Sequence, residues 1–142
     1  SHQKRIRLNR EINQRLAPVD AVRLEIVGRA ARGNAAQTML IWPGIVLLGC
    51  VAASRCGIQN GVLYRVIDVS DETLHLEGGV ALTHEQAKKW LRLAYAQTYA
   101  SCQGSEFDGP LRLHDCSHKF FSRKHLFVGL SRAKIAAEVG LN

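Results

Sequence analysis

The middle of the chain is a series of short β-rich segments separated by turn residues, and this pattern constrains the fold more than any other feature. Leu74 and Leu76 alternate with polar neighbours, as in a strand with one buried face. Ser70-Asp71-Glu72 and Gly78-Gly79 provide turns on either side. The pattern predicts a small barrel of antiparallel strands, with strands at residues 22–27, 39–48, 62–69 and 73–77.

The most apolar run, residues 39–53, is interrupted by Pro43, Gly44 and Gly49 and falls short of the roughly 20 residues that cross a membrane. No segment has the charged start and small-residue cleavage site of a signal peptide. The chain has 142 residues, of which 46% are hydrophobic, so it can bury a core. We therefore predict that this run forms buried strand and that the protein has no membrane partner.

The start of the chain predicts an amphipathic helix ending at Ala17-Pro18, because apolar residues recur there at roughly helical spacing: Ile6, Leu8, Ile12 and Leu16. Basic residues are also concentrated in the first quarter of the chain, which has eight of the 19 Lys and Arg residues: Lys4, Arg5, Arg7, Arg10, Arg15, Arg23, Arg29 and Arg32. The formal net charge is +7, and a basic surface suits a phosphate-bearing partner, although solvated helix faces explain single arginines equally well. The four cysteines show no tight paired spacing, so we expect free thiols in a reducing, intracellular compartment such as cytoplasm or nucleus.

The pattern in the second half of the chain predicts a different class of structure. Residues 83–86 have the Thr-x-x-Gln pattern of a capping box and predict a short helix through Trp90. A strand, polar turn, strand, helix and strand are then predicted, at residues 91–96, 97–110, 111–114, 120–134 and 135–141. This is an α/β pattern, which is compatible with the barrel only if the barrel is an insertion.

Two segments in this half, taken together, contain groups that suit a phosphate-bearing ligand. In Gln103-Gly104-Ser105-Glu106, a glycine lets backbone N–H groups approach a phosphate, and a carboxylate can accept from a ribose hydroxyl. Further on, Arg132 within Leu130-Ser131-Arg132-Ala133-Lys134 can stabilise charge on a transferred phosphoryl group. Each segment alone is ordinary. Their occurrence in this order, with a strand between them, argues against chance.

These two segments resemble the last two signature motifs of superfamily-one helicases. Trp42-Pro43-Gly44 before an apolar strand, Asn60-Gly61 before the next strand, and residues 93–96 before the polar turn are similar to the Pif and RecD-like branch. Residues 1–9 are similar to the preceding motif of that family. The resemblance implies an α/β fold: a partial RecA-like parallel sheet from residues 1–18 and 92–142, with a small SH3-like β-barrel inserted at residues 19–91.

The resemblance also implies roles for individual residues. Gly104 and Glu106 would lie at the nucleotide, and Arg132 would be the catalytic arginine finger at the γ-phosphate, with Arg5 or Lys4 as a second candidate there. Thr98 and Gln103 would lie on the nucleic-acid side of the loop. From the residues themselves, Tyr64 beside Arg65 is the best candidate for stacking on a base, whereas Trp42 and Trp90 are better explained as core.

The chain departs from the family in having Ala100-Ser101-Cys102 where His-Lys-Ser is typical, and it contains neither a Gly-x4-Gly-Lys-Ser/Thr loop nor an acidic pair for magnesium. We therefore predict the C-terminal fragment of an ATP-dependent DNA helicase of the replication and repair type. The fragment is expected to bind single-stranded DNA and to be inactive alone. ATP and Mg²⁺ would be held by a missing N-terminal RecA-like domain in the full-length protein.

Two other interpretations stay open at this point. The chain could be a degenerate helicase-derived module that binds a protein or a nucleic acid, or a fragment of a viral-type RNA helicase. His114, Cys116 and His118, with Cys102 nearby, also raise a zinc site or a thiol enzyme, but the spacing fits no common zinc motif and no residue that would orient the thiol can be named. We predict no metal ligand.

Overall fold

The computed structural model describes residues 2–28, 35–52, 54–99, 110–114, 116–117, 119, 121–125 and 139–141. The chain forms two compact units, Ser1–Ala96 and Gln97–Asn142. The predicted division into a RecA-like part and an inserted barrel at residues 19–91 stays a prediction.

The first unit is a mixed α/β structure built on an antiparallel sheet. Helix α1 (His2–Leu16) is followed by an antiparallel pair, β1 (Val22–Leu24) and β2 (Met39–Ile41). A five-stranded sheet has the order β6-β5-β4-β3-β7, with every neighbouring pair antiparallel. Its strands are β3 (Val46–Gly49), β4 (Leu63–Val69), β5 (Thr73–Leu76), β6 (Val80–Thr83) and β7 (Leu91–Leu93).

The apolar run predicted as one strand, residues 39–48, is two strands that belong to different sheets. Trp42-Pro43-Gly44-Ile45 forms the turn between them, and the Ile45 N–H donates to the Trp42 carbonyl at 3.2 Å. Gly44 has φ +100°, the conformation that the third position of a type II turn requires after proline. The proline and glycine therefore redirect the chain instead of merely interrupting a strand.

The core of the first unit comes from alternate residues of these strands. Leu47, Leu74, Leu82 and Leu93 are among its fully buried side chains. Trp42 and Trp90 are half-buried and pack against this core, as predicted. Burial of apolar side chains on one face of each strand is the main force that holds such a sheet together.

Helix α2 (His84–Trp90) begins with the predicted capping box. Thr83 Oγ1 accepts from the Gln86 N–H at 3.2 Å, and Gln86 Oε1 accepts from the Thr83 N–H at 3.0 Å. These reciprocal bonds satisfy two backbone donors that a helix start leaves open.

The predicted first helix is present as α1, and its apolar residues Ile6, Leu8 and Ile12 are half-buried, but the face that it buries fully is polar. Leu16 is 56% exposed, and the residues that α1 buries are Arg5, Asn9 and Asn13. These three lie one turn apart on one face of the helix. That face meets the backbone of β2 and of residue 96, so polar side chains that pair with peptide groups fit it better than apolar ones.

In the second unit, β8 (Leu111–Leu113) and β9 (Val139–Leu141) pair in parallel, which confirms strands at the two places predicted for them. Most of the predicted helix at residues 120–134 lies outside the described residues. Within this range residues 121–125 are described, and residues 123–125 are helical. Among the described residues, no helix is long and apolar enough to cross a membrane.

Candidate functional site

A buried guanidinium with two unpartnered nitrogen atoms lies on α1. The Arg5 side chain belongs to a residue that is 6% exposed, and its Nε and Nη2 atoms are buried with no partner. Burial lowers the pKa of Arg5, and the nearby positive charge of Arg92 lowers it further. A buried cation is stable only when paired, so this group has unused capacity to bind an anion.

Arg92, on β7, lies close to Arg5 and is 8% exposed. Its Nη1 donates to the carbonyls of Lys88, Lys89 and Leu91 at 3.1, 3.0 and 2.7 Å. The guanidinium thus satisfies open carbonyls at the end of α2, where a cation is also favoured by the helix dipole.

Burial lowers the pKa of Arg92 as well, and the Cys50 thiol acts in the opposite direction on both arginines. Cys50 follows β3, and its N–H donates to the Trp90 carbonyl at 2.7 Å. Arg5, Arg92 and Cys50 therefore form one cluster at the junction of α1, β3 and β7, and this cluster has an excess of positive charge.

Asn9 lies one turn from Arg5 and is hydrogen-bonded to Ala96, the last residue of the first unit. Its Nδ2 donates to the Ala96 carbonyl at 2.9 Å, and its Oδ1 accepts from the Ala96 N–H at 2.7 Å. Asn9 is fully buried, so water does not compete for these bonds. The peptide at Ala96 has a fixed position relative to α1 as a result.

The neighbouring residue, Tyr95, also interacts with helix α1. Its phenol is hydrogen-bonded to Asn13, and burial raises the pKa of that phenol. Residues 95–96 lead directly to Gln97 and to Thr98, the residue predicted to lie on the nucleic-acid side. Gln97 begins the second unit, and its Oε1 atom is buried without a hydrogen-bond partner.

The other predicted nucleic-acid residues lie on β4, with neighbouring side chains on opposite faces. The Tyr64 hydroxyl accepts from the Gln59 N–H at 2.8 Å and donates to the Gly57 carbonyl at 3.1 Å, and its ring packs against the core. Arg65 is exposed and donates from Nη1 to the Gly44 carbonyl at 3.0 Å. Arg65 is therefore open to a ligand, while the Tyr64 hydroxyl is engaged by the backbone of residues 57 and 59.

Several predicted site residues lie outside the described residues: Gln103, Gly104, Glu106 and Arg132. Their roles stay predictions. Cys102 and His118, from the zinc hypothesis, also lie outside. Among the residues that are described, no group of three or more His, Cys, Asp or Glu could hold a metal ion.

The second unit contains an aromatic cluster next to Thr98. Tyr99 and Phe121 meet edge to face with ring centroids 5.7 Å apart, and His125 stacks on Phe121 at 5.8 Å. The Tyr99 hydroxyl donates to the His114 carbonyl at 2.8 Å. Edge-to-face and stacked pairs of this kind fix ring orientation, so Tyr99 is held in place from both ends.

Sequence reasoning missed Arg92 and Asn13 as parts of this site. The signal in the sequence was the Arg-x3-Asn-x3-Asn spacing of residues 5, 9 and 13, which places three polar groups on one helix face. A polar stripe on a helix normally indicates the solvent side. Only the tertiary structure shows that this stripe is buried.

No protein-family model matches the sequence, and no curated protein matches it significantly. Solved structures of Pif1 helicases do match. Pif1 from Bacteroides bound to ssDNA has 21% identity and a TM-score of 0.62, covering 93% of this chain and 37% of that one. Bacteroides Pif1 with ADP-AlF3 and ssDNA has 19% identity and a TM-score of 0.66, covering 100% and 38%. Pif1 from Candida albicans has 14% identity and a TM-score of 0.61, covering 99% and 43%.

The fold is similar to that of a part of these Pif1 helicases, which confirms the resemblance seen in the sequence as a likeness of fold. The chain spans less than half the length of each of these helicases. The activity, substrates and partners of a whole helicase are therefore proposals for this chain.

Proposed function

We propose that this chain is the C-terminal part of an ATP-dependent DNA helicase. Residues 1–18 and 92–142 form its second RecA-like domain, and residues 19–91 form an inserted SH3-like barrel. The likeness to Pif1 structures supports this proposal, as do the antiparallel sheet of the first unit and the parallel pairing of β8 with β9. The order of the two motifs around Gly104 and Arg132 supports it independently of the fold.

The main observation in support of the proposal is that the Nε and Nη2 atoms of Arg5 are buried without hydrogen-bond partners. A phosphate offers oxygen acceptors in the geometry that Nε and Nη2 of an arginine bind best. We assign Arg5 to a phosphate oxygen of ATP and Arg132 to the arginine finger. Gly104 and Glu106 contact the nucleotide. Mg²⁺-bound ATP, held by an N-terminal RecA-like domain, supplies the phosphoryl group.

Single-stranded DNA is the proposed second ligand. Thr98 and Gln103 contact the strand from the loop, and Arg65 contacts it from the barrel, whereas Tyr64 is engaged with the core and the turn at residues 57–59. The exposed guanidinium of Arg65 and the net charge of +7 support an electrostatic contribution to binding. One of the matching structures is Pif1 from Bacteroides bound to ssDNA, which supports the same ligand class here.

ATP hydrolysis by the protein encoded by the complete reading frame tests the proposal. The protein should hydrolyse ATP faster when single-stranded DNA is added, whereas the 142-residue chain alone should not hydrolyse it. Arg5→Ala and Arg132→Ala should each lower kcat by about 10²-fold or more, as for loss of a group that stabilises phosphoryl charge. Arg55→Ala, an exposed arginine on another element, is the matched control. Hydrolysis by the isolated chain, or full activity in both arginine variants, would contradict the proposal.

Strand binding is tested separately with labelled oligomers of one sequence, as DNA and as RNA. We expect the chain to bind the DNA oligomer, with affinity that falls steeply between low and high salt because phosphate contacts release counterions. Salt-independent or absent binding would favour the protein-interaction module. Tighter binding to RNA would favour the RNA helicase.

A further inference from the structure

Helix α1 connects the candidate phosphate site with the chain segment that enters the nucleic-acid loop. Arg5 and Asn9 lie one turn apart on its buried face. Arg5 presents unpartnered donors, while Asn9 is bonded on both sides of its amide to Ala96. Ala96 precedes Thr98 by two residues in the sequence.

The bond pair at Ala96 is suited to transmitting a displacement. Two hydrogen bonds from one planar amide to the N–H and carbonyl of one residue fix both the distance and the rotation of that residue relative to the helix. An α-helix of 15 residues moves as a rigid unit over the single turn between positions 5 and 9. Because Asn9 is fully buried, a shift of the helix moves Ala96 with it instead of exchanging the bonds for water.

We propose that Asn9 is a positioning residue that couples the phosphate-bound state of Arg5 to the position of Ala96, two residues before Thr98 in the sequence, and thus to the grip on single-stranded DNA. This inference rests on the proposed function, because it needs a nucleotide phosphate at Arg5 and a strand at Thr98. It assigns to Asn9 a role in coupling the two ligands and no contact with either. The path runs through contiguous bonded groups, as a physical coupling requires.

The substitution Asn9→Asp tests the hydrogen bond that Asn9 Nδ2 donates to the Ala96 carbonyl. Asp has the same shape, and it still accepts from the Ala96 N–H, but its carboxylate faces the Ala96 carbonyl without a donor. Gln37→Glu is the matched control. The Gln37 Nε2 donates to the Ile6 carbonyl at 3.3 Å, so it also bonds α1 through an amide, but from a different segment.

Both variants are to be compared in the complete protein, by the ratio of kcat with saturating single-stranded DNA to kcat without DNA. We expect Asn9→Asp to lower this ratio about tenfold, within the range of typical coupling energies between sites, and Gln37→Glu to leave it unchanged. A ratio that both variants lower equally, or that neither changes, overturns the inference. An unmodified protein without DNA-stimulated hydrolysis overturns the proposed function and the inference with it, which distinguishes the two failures.

Amide hydrogen exchange in the unmodified protein gives a second test that does not depend on the folding of a variant. With single-stranded DNA present, addition of a non-hydrolysable ATP analogue should slow exchange of the Ala96 N–H about tenfold. The Gln59 N–H is the internal control, because it also donates to a side chain, at 2.8 Å to the Tyr64 hydroxyl on β4, and α1 takes no part in that bond. Equal effects at both amides, or no effect at Ala96, contradict the role of Asn9.

Discussion

The amide of Asn13 forms two hydrogen bonds with the backbone of Leu40: Nδ2 donates to the Leu40 carbonyl at 2.8 Å, and Oδ1 accepts from the Leu40 N–H at 2.8 Å. Asn13 is 2% exposed. A side chain takes the place of a neighbouring strand here, because it satisfies both peptide groups of one residue in β2. The helix is thereby tied to the sheet through polar groups that cannot turn to water.

Replacing Asn13 by Ala should therefore destabilise the first unit. The change leaves the Leu40 N–H and carbonyl buried without partners, and we expect the free energy of unfolding to fall by about 2–4 kcal/mol, since each unsatisfied group costs about 1–3 kcal/mol. Urea unfolding followed by tryptophan fluorescence measures this, because Trp42 and Trp90 both lie in the first unit. Gln14→Ala, on the exposed face of the same helix, should change stability by less than about 0.5 kcal/mol.

A side chain at Gly49 should lower the stability of the protein. Its N–H donates to the Val62 carbonyl at 2.8 Å, and its carbonyl accepts from the Gly61 N–H at 2.9 Å. A Cβ at Gly49 would overlap the Gln59 carbonyl. We expect Gly49→Ala to lower the free energy of unfolding by about 1–3 kcal/mol, because the backbone around residue 59 must move.

Gly140→Ala is the control for that glycine. Gly140 also lies at a strand, but among the described residues the nearest atoms that a Cβ there would meet lie at an ordinary contact distance of 3.8 Å or more. Thermal unfolding followed by circular dichroism compares the two variants. A Gly49→Ala protein as stable as the Gly140→Ala protein would show that the approach of residues 49 and 59 is not tight in solution.

The capping box can be tested with a pair of substitutions at Thr83. Thr83→Ala removes the hydroxyl that accepts from Gln86, and we expect a loss of about 0.5–2 kcal/mol in the free energy of unfolding. Thr83→Ser retains the hydroxyl and should retain most of the stability. Equal losses in both variants would mean that the methyl group on β6, and not the cap, accounts for the effect.

The strands were predictable where local patterns decide them. Alternation around Leu74 and Leu76 located β5, and the Thr83 and Gln86 spacing located α2. Strand β6 (Val80–Thr83) was missed because the sequence shows only a few residues between the Gly78-Gly79 turn and the helix cap. Its strand character depends on pairing with β5, which is a tertiary contact.

The candidate site was predictable only in part. Arg5 could be named from its place in a family-like segment, but its lack of partners depends on what packs around it. The burial of the polar stripe of α1 could not be predicted, since periodicity does not distinguish a polar face in water from one that meets exposed backbone. The pairing of Asn9 with Ala96, 87 positions apart in the sequence, has no local signal at all.

The substitution Arg5→Met tests the effect of this guanidinium on both stability and ATP hydrolysis. Met has a similar length and no charge, so the change removes a buried cation without partners and its repulsion by Arg92. We expect the free energy of unfolding of the chain to rise by about 1 kcal/mol or more, as when buried charges are replaced by apolar groups. The same change in the complete protein should abolish most DNA-stimulated ATP hydrolysis, because the phosphate loses its guanidinium.

The control for stability is Arg7→Met, on the same helix. Arg7 is exposed and pairs with Glu11 at 3.6 Å, and exposed pairs contribute at most about 1 kcal/mol. Urea unfolding of both variants, with ATP hydrolysis measured alongside, separates the two explanations of Arg5. If Arg5→Met destabilises the chain, the guanidinium stabilises the fold through contacts of its own. A gain in stability together with a loss of hydrolysis means that Arg5 is retained at a cost to folding because a bound phosphate needs it.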